Sequence, residues 1–174
     1  MIQLSSFLVF MVIFFAVVGS LRGFRKEFVA LAGIILALFT IVQFESFFQN
    51  LGGGSDEQIF YVEAIFLALV TFFAYQTPPE SVMRNSRRRD ELDNWQNRLL
   101  GAVFGGMNGY LVFGSLWYFM DQLAYPLSPN VTTPSPDSSS ADMVGSLPLV
   151  WMQEGNLLTL LVIGLFLFIL IAII

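Results

Sequence analysis

Residues 4–27 read LSSFLVFMVIFFAVVGSLRGFRKE. Residues 4–20 carry no charge, and then Arg22, Arg25 and Lys26 arrive within seven residues. An uncharged run of this kind reaches the short end of the length needed to cross the hydrocarbon of a bilayer. Cationic residues beside a span stay cytoplasmic, so the order of the two parts sets a direction as well as a class. No basic residue precedes the run, which predicts an uncleaved first span with its N-terminus outside.

The other five cations, Arg84, Arg87, Arg88, Arg89 and Arg98, all fall in residues 77–98. Three further apolar runs, at 28–48, 99–120 and 156–174, have spanning length. The run at 57–76 is weaker, because its longest apolar stretch free of charge is only residues 64–75. If it crosses, both basic loops lie on one side; if it does not, they lie on opposite sides and violate the charge rule. It is therefore read as crossing. The expected fold is all-α: a polytopic membrane bundle of five transmembrane helices, N-terminus outside and C-terminus cytoplasmic. Trp117, Tyr118 and Trp151 would fall at the outer interface and Trp95 at the inner one, as belt residues do.

Composition agrees. Of 174 residues 56% are hydrophobic and only 12% charged, about half the charged fraction of a soluble domain. There is no cysteine and no histidine, which removes disulfides, thiol nucleophiles, Cys/His zinc sites and histidine-ligated haem. Nucleic acid is an improbable partner, because the arginines sit beside spans and among Asp and Glu. No catalytic arrangement, cofactor site or metal site is expected. The expected partners are the lipid bilayer and other membrane subunits, or a second copy of the chain.

The organisation divides at residues 123 and 155: a membrane core (1–123), an external Ser/Thr/Pro-rich segment (124–155) and one more helix (156–174). Residues 131–142, VTTPSPDSSSAD, have almost nothing to bury and predict an extended or disordered loop. In the basic loop, Arg87 with Glu91 and Arg89 with Asp93 stand at i,i+4, the spacing of a surface helix.

The sharpest pattern is in the fourth span, where Gly101, Gly105 and Gly109 recur every four residues. They present a strip without side chains against which another helix backbone can close. Packing inside the monomer is the simpler reading, and a dimer or partner interface the alternative. Asn108 beside the strip reads as interhelical glue. Glu45 and Glu63 are the acids within predicted spans, each about one turn from the outer surface. They are weak candidates for a proton or cation site, against the simpler reading that both reach the outer headgroups. The arginines and Lys26 read as topology determinants or headgroup contacts.

Two stretches resemble the colicin V production (CvpA) proteins. Residues 19–28, GSLRGFRKEF, resemble that family's first basic loop, in which a small residue ends span 1 and Arg-Gly and a basic pair follow. Residues 97–106, NRLLGAVFGG, are similar to its entry into span 4. The resemblance covers about residues 4–123. It departs at Ser5-Ser6, where family members often have Asp, and at Lys26-Glu27, where Gly often follows. The outer segment and span 5 lie beyond the four-span core. The resemblance implies a non-enzymatic inner-membrane protein that supports production or export of a peptide toxin, or envelope homeostasis. An accessory subunit of a larger respiratory, photosynthetic or transport complex is the alternative, and a small carrier using Glu45, Glu63 and Asn108 a third.

Overall fold

The structure, a computed structural model, describes residues 3–76 and 94–173. Arg84, Arg87, Arg88, Arg89 and the i,i+4 pairs of the basic loop lie outside the described residues. The described chain is helical, with no strand among the described residues. In order the helices are α1 (Leu4–Arg22), α2 (Phe24–Gln43), α3 (Glu45–Leu51), α4 (Asp56–Tyr75), α5 (Asn94–Gln122), α6 (Ser139–Val144), α7 (Pro148–Gln153) and α8 (Leu157–Ile173). Five helical stretches are long and apolar enough to cross a membrane, the last of them Ser139–Phe168. The chain is a polytopic membrane bundle. The weak run at 57–76 is a full helix, α4.

The centre of the bundle is α5, packed against α1 on one side and α2 on another. α4 packs against α2 and α5, and α8 against α2 and α7. Half of the α5 span is buried inside the protein, but only about a sixth of the α1 span. Most of α1 therefore faces outward, with Phe10, Ile13, Phe14 and Val17 exposed, as suits a helix whose other neighbour is lipid.

The glycine strip determines which face of α5 meets α1. A Cβ on Gly105 would collide with the Phe15 carbonyl oxygen and lie 2.8 Å from Gly19 Cα. A Cβ on Gly101 would strike the Gly19 carbonyl oxygen, and one on Gly109 would lie 2.8 Å from Phe15 Cβ. The contacts at Gly101 and Gly105 are with backbone atoms, so they cannot be relieved by rotating a side chain. Gly19 answers from α1: its own Cβ would strike Gly101. The two helices touch over several turns through small residues, the arrangement that gains dispersion contacts where the hydrophobic effect gives nothing.

Three sequence expectations change. The span expected at 28–48 begins four residues earlier, at Phe24, and stops at Gln43. The polar pair Gln43 and Glu45 ends it, and residues 45–51 fold separately as α3, which buries Phe48 and exposes Phe47 and Leu51. Second, residues 131–138 carry no helix, as expected of an extended loop, but Ser139–Val144 folds as the short helix α6, so the loop expected at 131–142 ends early. Leu147, Leu149 and Met152 are fully covered, Pro148 seats against Gly114 of α5, and Ser140 Oγ donates to Ser5 Oγ at 3.0 Å. The apolar residues of 147–152 supply the burial that the Ser/Thr/Pro stretch lacks. Third, Trp117 is a core residue rather than a belt residue. It is 2% exposed and donates Nε1–H to the Tyr125 hydroxyl at 3.0 Å.

Gly105→Leu should lower stability by at least the ~1–3 kcal/mol typical of overpacking, read as a lower detergent melting temperature. Gly145→Ala, where an added Cβ meets open space, should stay within about 0.5 kcal/mol of the parent. Equal melting curves for the two variants would refute the close α1–α5 contact.

Candidate functional site

At the end of the bundle where the first basic residues lie, one side chain from each of four helices converges. Arg22 is the last residue of α1, Glu27 lies in the first turn of α2, Tyr75 ends α4, and Asn108 sits in the middle of α5. Glu27 is 0% exposed. Its Oε1 accepts from Arg22 Nη1 at 2.6 Å. Its Oε2 accepts from the Tyr75 hydroxyl at 3.0 Å and from Asn108 Nδ2 at 2.8 Å. Asn108 Nδ2 also reaches the Glu27 carbonyl oxygen at 3.1 Å.

Burying a carboxylate in a bundle that faces hydrocarbon is costly unless it is paired and hydrogen-bonded. Both conditions are met: one cation and two neutral donors share its two oxygens. Backbone position adds to this. The negative group stands at the N-terminus of α2 and the positive one at the C-terminus of α1, the favourable end of each helix dipole. Arg22 does two further things. Its Nη2 donates to the carbonyl oxygen of Tyr75 at 2.9 Å, capping the C-terminus of α4. Its guanidinium carbon lies 4.2 Å from the centroid of the Tyr75 ring, within cation–π range.

Gly23 makes the juxtaposition possible. With φ +84° it ends α1 and releases the chain directly into α2, so that Arg22 and Glu27, five residues apart, face one another. Asn97 of α5 holds this corner from outside: its Oδ1 accepts the backbone N–H of Phe24 at 3.0 Å. A Cβ at Gly23 would stand 2.7 Å from Asn97 Nδ2. The two stretches at 19–28 and 97–106 are thus the two halves of one joint. Gly19 meets Gly101, and Gly23 meets Asn97.

The structure places the other expected residues as follows. Gly101, Gly105 and Gly109 lie against α1, while Asn108 points away from them toward α2. Arg22 is drawn into the cluster, its side chain 21% exposed. Arg25 and Arg98 are exposed and Lys26 half-buried. Glu45 is exposed and accepts from Gln49 Nε2 at 2.8 Å. Glu63 does not reach the outer surface; it is 8% exposed, because its turn of α4 faces the bundle. Sequence reasoning missed Glu27, which it left in a loop, and Tyr75. The available signal was an acid one turn into an apolar helix, just after the Arg-Gly corner.

Not every buried polar atom is satisfied. Asn108 Oδ1, Thr71 Oγ1 and Ser115 Oγ are buried without a hydrogen-bond partner. Among the described residues no group of His, Cys, Asp and Glu is arranged to hold a metal ion.

The model of the family described as colicin V production protein matches residues 4–145. The matched region holds both halves of the joint and all four residues of the cluster, and it ends before α7 and α8. No curated protein and no solved structure matches the chain.

Removing Arg22 leaves a buried carboxylate without its cation, so Arg22→Ala should cost roughly 3–5 kcal/mol. Asn108→Ala removes hydrogen bonds to a charged group and should cost about 1.5–3 kcal/mol. The double variant Arg22→Met/Glu27→Leu should lose less than the sum of its single variants, since the partners act as a unit. Additive losses in detergent melts would show that the two residues are not coupled.

Proposed function

Since the chain belongs to the colicin V production protein family, we propose that it is a non-enzymatic, multi-pass protein of the inner membrane that supports peptide-toxin export or envelope homeostasis. The observation that carries this reading is the family match over residues 4–145 on a bundle of membrane-spanning helices. The charge pattern supports an orientation in which both basic stretches are cytoplasmic, with the N-terminus outside and the C-terminus inside. In that orientation the four-residue cluster lies at the cytoplasmic end, and the segment containing α6 and α7 covers the outer end.

The alternative is an accessory subunit of a larger membrane complex. One observation favours it: α1 and α8 leave long apolar faces uncovered, including Phe10, Ile13, Phe166 and Ile171. Lipid covers such faces as readily as protein does, so the export or homeostasis reading stands first.

Deletion of the gene should reduce peptide-toxin release or survival under envelope stress, and the intact chain should restore it. A deletion strain unchanged in both assays would overturn the proposal. Purification in mild detergent should yield a monomer or dimer, whereas foreign subunits in fixed stoichiometry would transfer the reading to the alternative. Reporters fused after Ile174 and within residues 131–142 should report opposite sides of the membrane. The same side for both would refute the crossing by α8.

A further inference from the structure

Where α2 gives way to α3, a groove opens between α3 and α4. Its volume is about 610 Å³, within the ~300–1,000 Å³ of ligand pockets. Phe47 and Leu51 of α3, Ile65 and Leu69 of α4 and Thr40 of α2 line it. Phe48 and Phe66 meet edge-on across the two helices, ring centroids 5.2 Å apart. Thr40 is the one lining residue with a hydroxyl, which donates to the Leu36 carbonyl oxygen at 2.8 Å. The lining thus offers a ligand no side-chain hydrogen-bond donor.

Phe47, Leu51, Ile65 and Leu69 are each more than half exposed, and together they form the kind of apolar patch that marks a binding surface. A partner helix fits this groove poorly. Helices in a membrane associate through small residues, and the lining contains no glycine, alanine or serine. At seven residues, α3 is only ~10 Å long, too short to pair along a spanning helix. A flexible hydrocarbon chain has no such requirement and can follow bulky walls. At ~30 Å³ for each water-sized group, the groove holds roughly twenty such groups, one acyl chain of a phospholipid. Its α4 wall runs from Val62 to Leu69, about 10 Å of helix, or roughly two-thirds of one leaflet of a ~30 Å hydrocarbon.

The charges beside the groove select the headgroup. Glu45 opens α3 next to the lining residue Phe44, and Asp56 and Glu57 open α4 within two turns of Val62. All three acids are exposed. No Lys or Arg stands between Lys26 and Arg84, so α3 and α4 carry acids and no base. We propose that the α3–α4 groove binds one acyl chain of phosphatidylethanolamine, with the headgroup ammonium against Asp56 and Glu57. That ammonium donates charge-assisted hydrogen bonds to carboxylates. A phosphatidylglycerol headgroup brings net negative charge and no cation, and the choline nitrogen has no N–H to donate.

The test reconstitutes the full chain in phosphatidylcholine vesicles containing a trace of phosphatidylethanolamine with a diazirine on one acyl chain. After illumination, mass spectrometry maps the label. Label on residues 44–51 and 62–69 should exceed label on the exposed faces of α1 and α8 by about fivefold or more, the ratio set by a preference of about 1 kcal/mol. The same probe with a glycerol headgroup should label the groove about fivefold less, the upper end for exposed charges. Asp56→Asn/Glu57→Gln should abolish that difference. Ile65→Trp, which fills the groove, should remove the excess, and Ile13→Trp, similarly exposed on α1, should keep it. Label spread evenly over the outward faces of the parent would overturn the proposal, whatever the variants do. So would equal groove labelling by the two headgroups, or a difference that survives Asp56→Asn/Glu57→Gln. An Ile65→Trp chain that melts like the parent and keeps the excess would do the same. A dimer in mild detergent that Ile65→Trp separates would place a second copy in the groove instead, and would also overturn it.

Discussion

A single buried carboxylate organises the basic end of this bundle. Glu27 needs its charge balanced and its lone pairs occupied, and no one helix can do both. The cation comes from α1, one donor from α4 and one from α5. Each of those helices must therefore bring a particular turn to the same point, which sets its axial position relative to α2. Apolar packing alone permits sliding, because one turn of Leu and Phe resembles the next. A buried ion pair does not, since a one-turn slip leaves a charge uncompensated in a low-dielectric interior. The cluster sets the register of a bundle whose other contacts are tolerant.

That register rests on the glycine joint. Arg22 can reach Glu27 because α1 lies close against α5 and the chain reverses at Gly23 without a loop. Close approach requires Gly19, Gly101 and Gly105 to lack side chains. The reversal requires a residue that accepts positive φ and a partner for the exposed N–H of Phe24, which Asn97 provides. The two family-like stretches, far apart along the chain, are in contact for this reason. The features that carry the resemblance are those of a joint, and the ion pair is what the joint holds.

The opposite end is built differently. There the acids Glu45, Glu63 and Asp121 gather near Tyr118 without a basic residue among the described neighbours. The outer segment closes over this end through Leu147, Leu149 and Met152 rather than through charge. An ion-paired cluster at one end and a group of acids at the other give the bundle unlike ends. This asymmetry makes the interior more than packing.

Much of this was legible in the residues alone. Crossing of the bilayer depends on the summed hydropathy of about twenty consecutive residues, a local quantity, so the spans could be read directly, α4 included. The four-residue spacing of Gly101, Gly105 and Gly109 marked a close-packed face by helical periodicity. Which helix lies on that face was not legible, since any span with a small residue would serve, and Gly19 was chosen by the fold. Glu27 looked like a loop residue because its neighbours are Arg25 and Lys26; only the turn at Gly23 carries it into the interior. Its bond to Asn108 joins residues 81 positions apart, and no local pattern encodes such a pair. The packing of residues 147–152 was hidden for the same reason, because they find their burial on α5 and α8 and not within their own stretch. Hydropathy decided what enters the membrane, and tertiary packing decided which polar groups meet there.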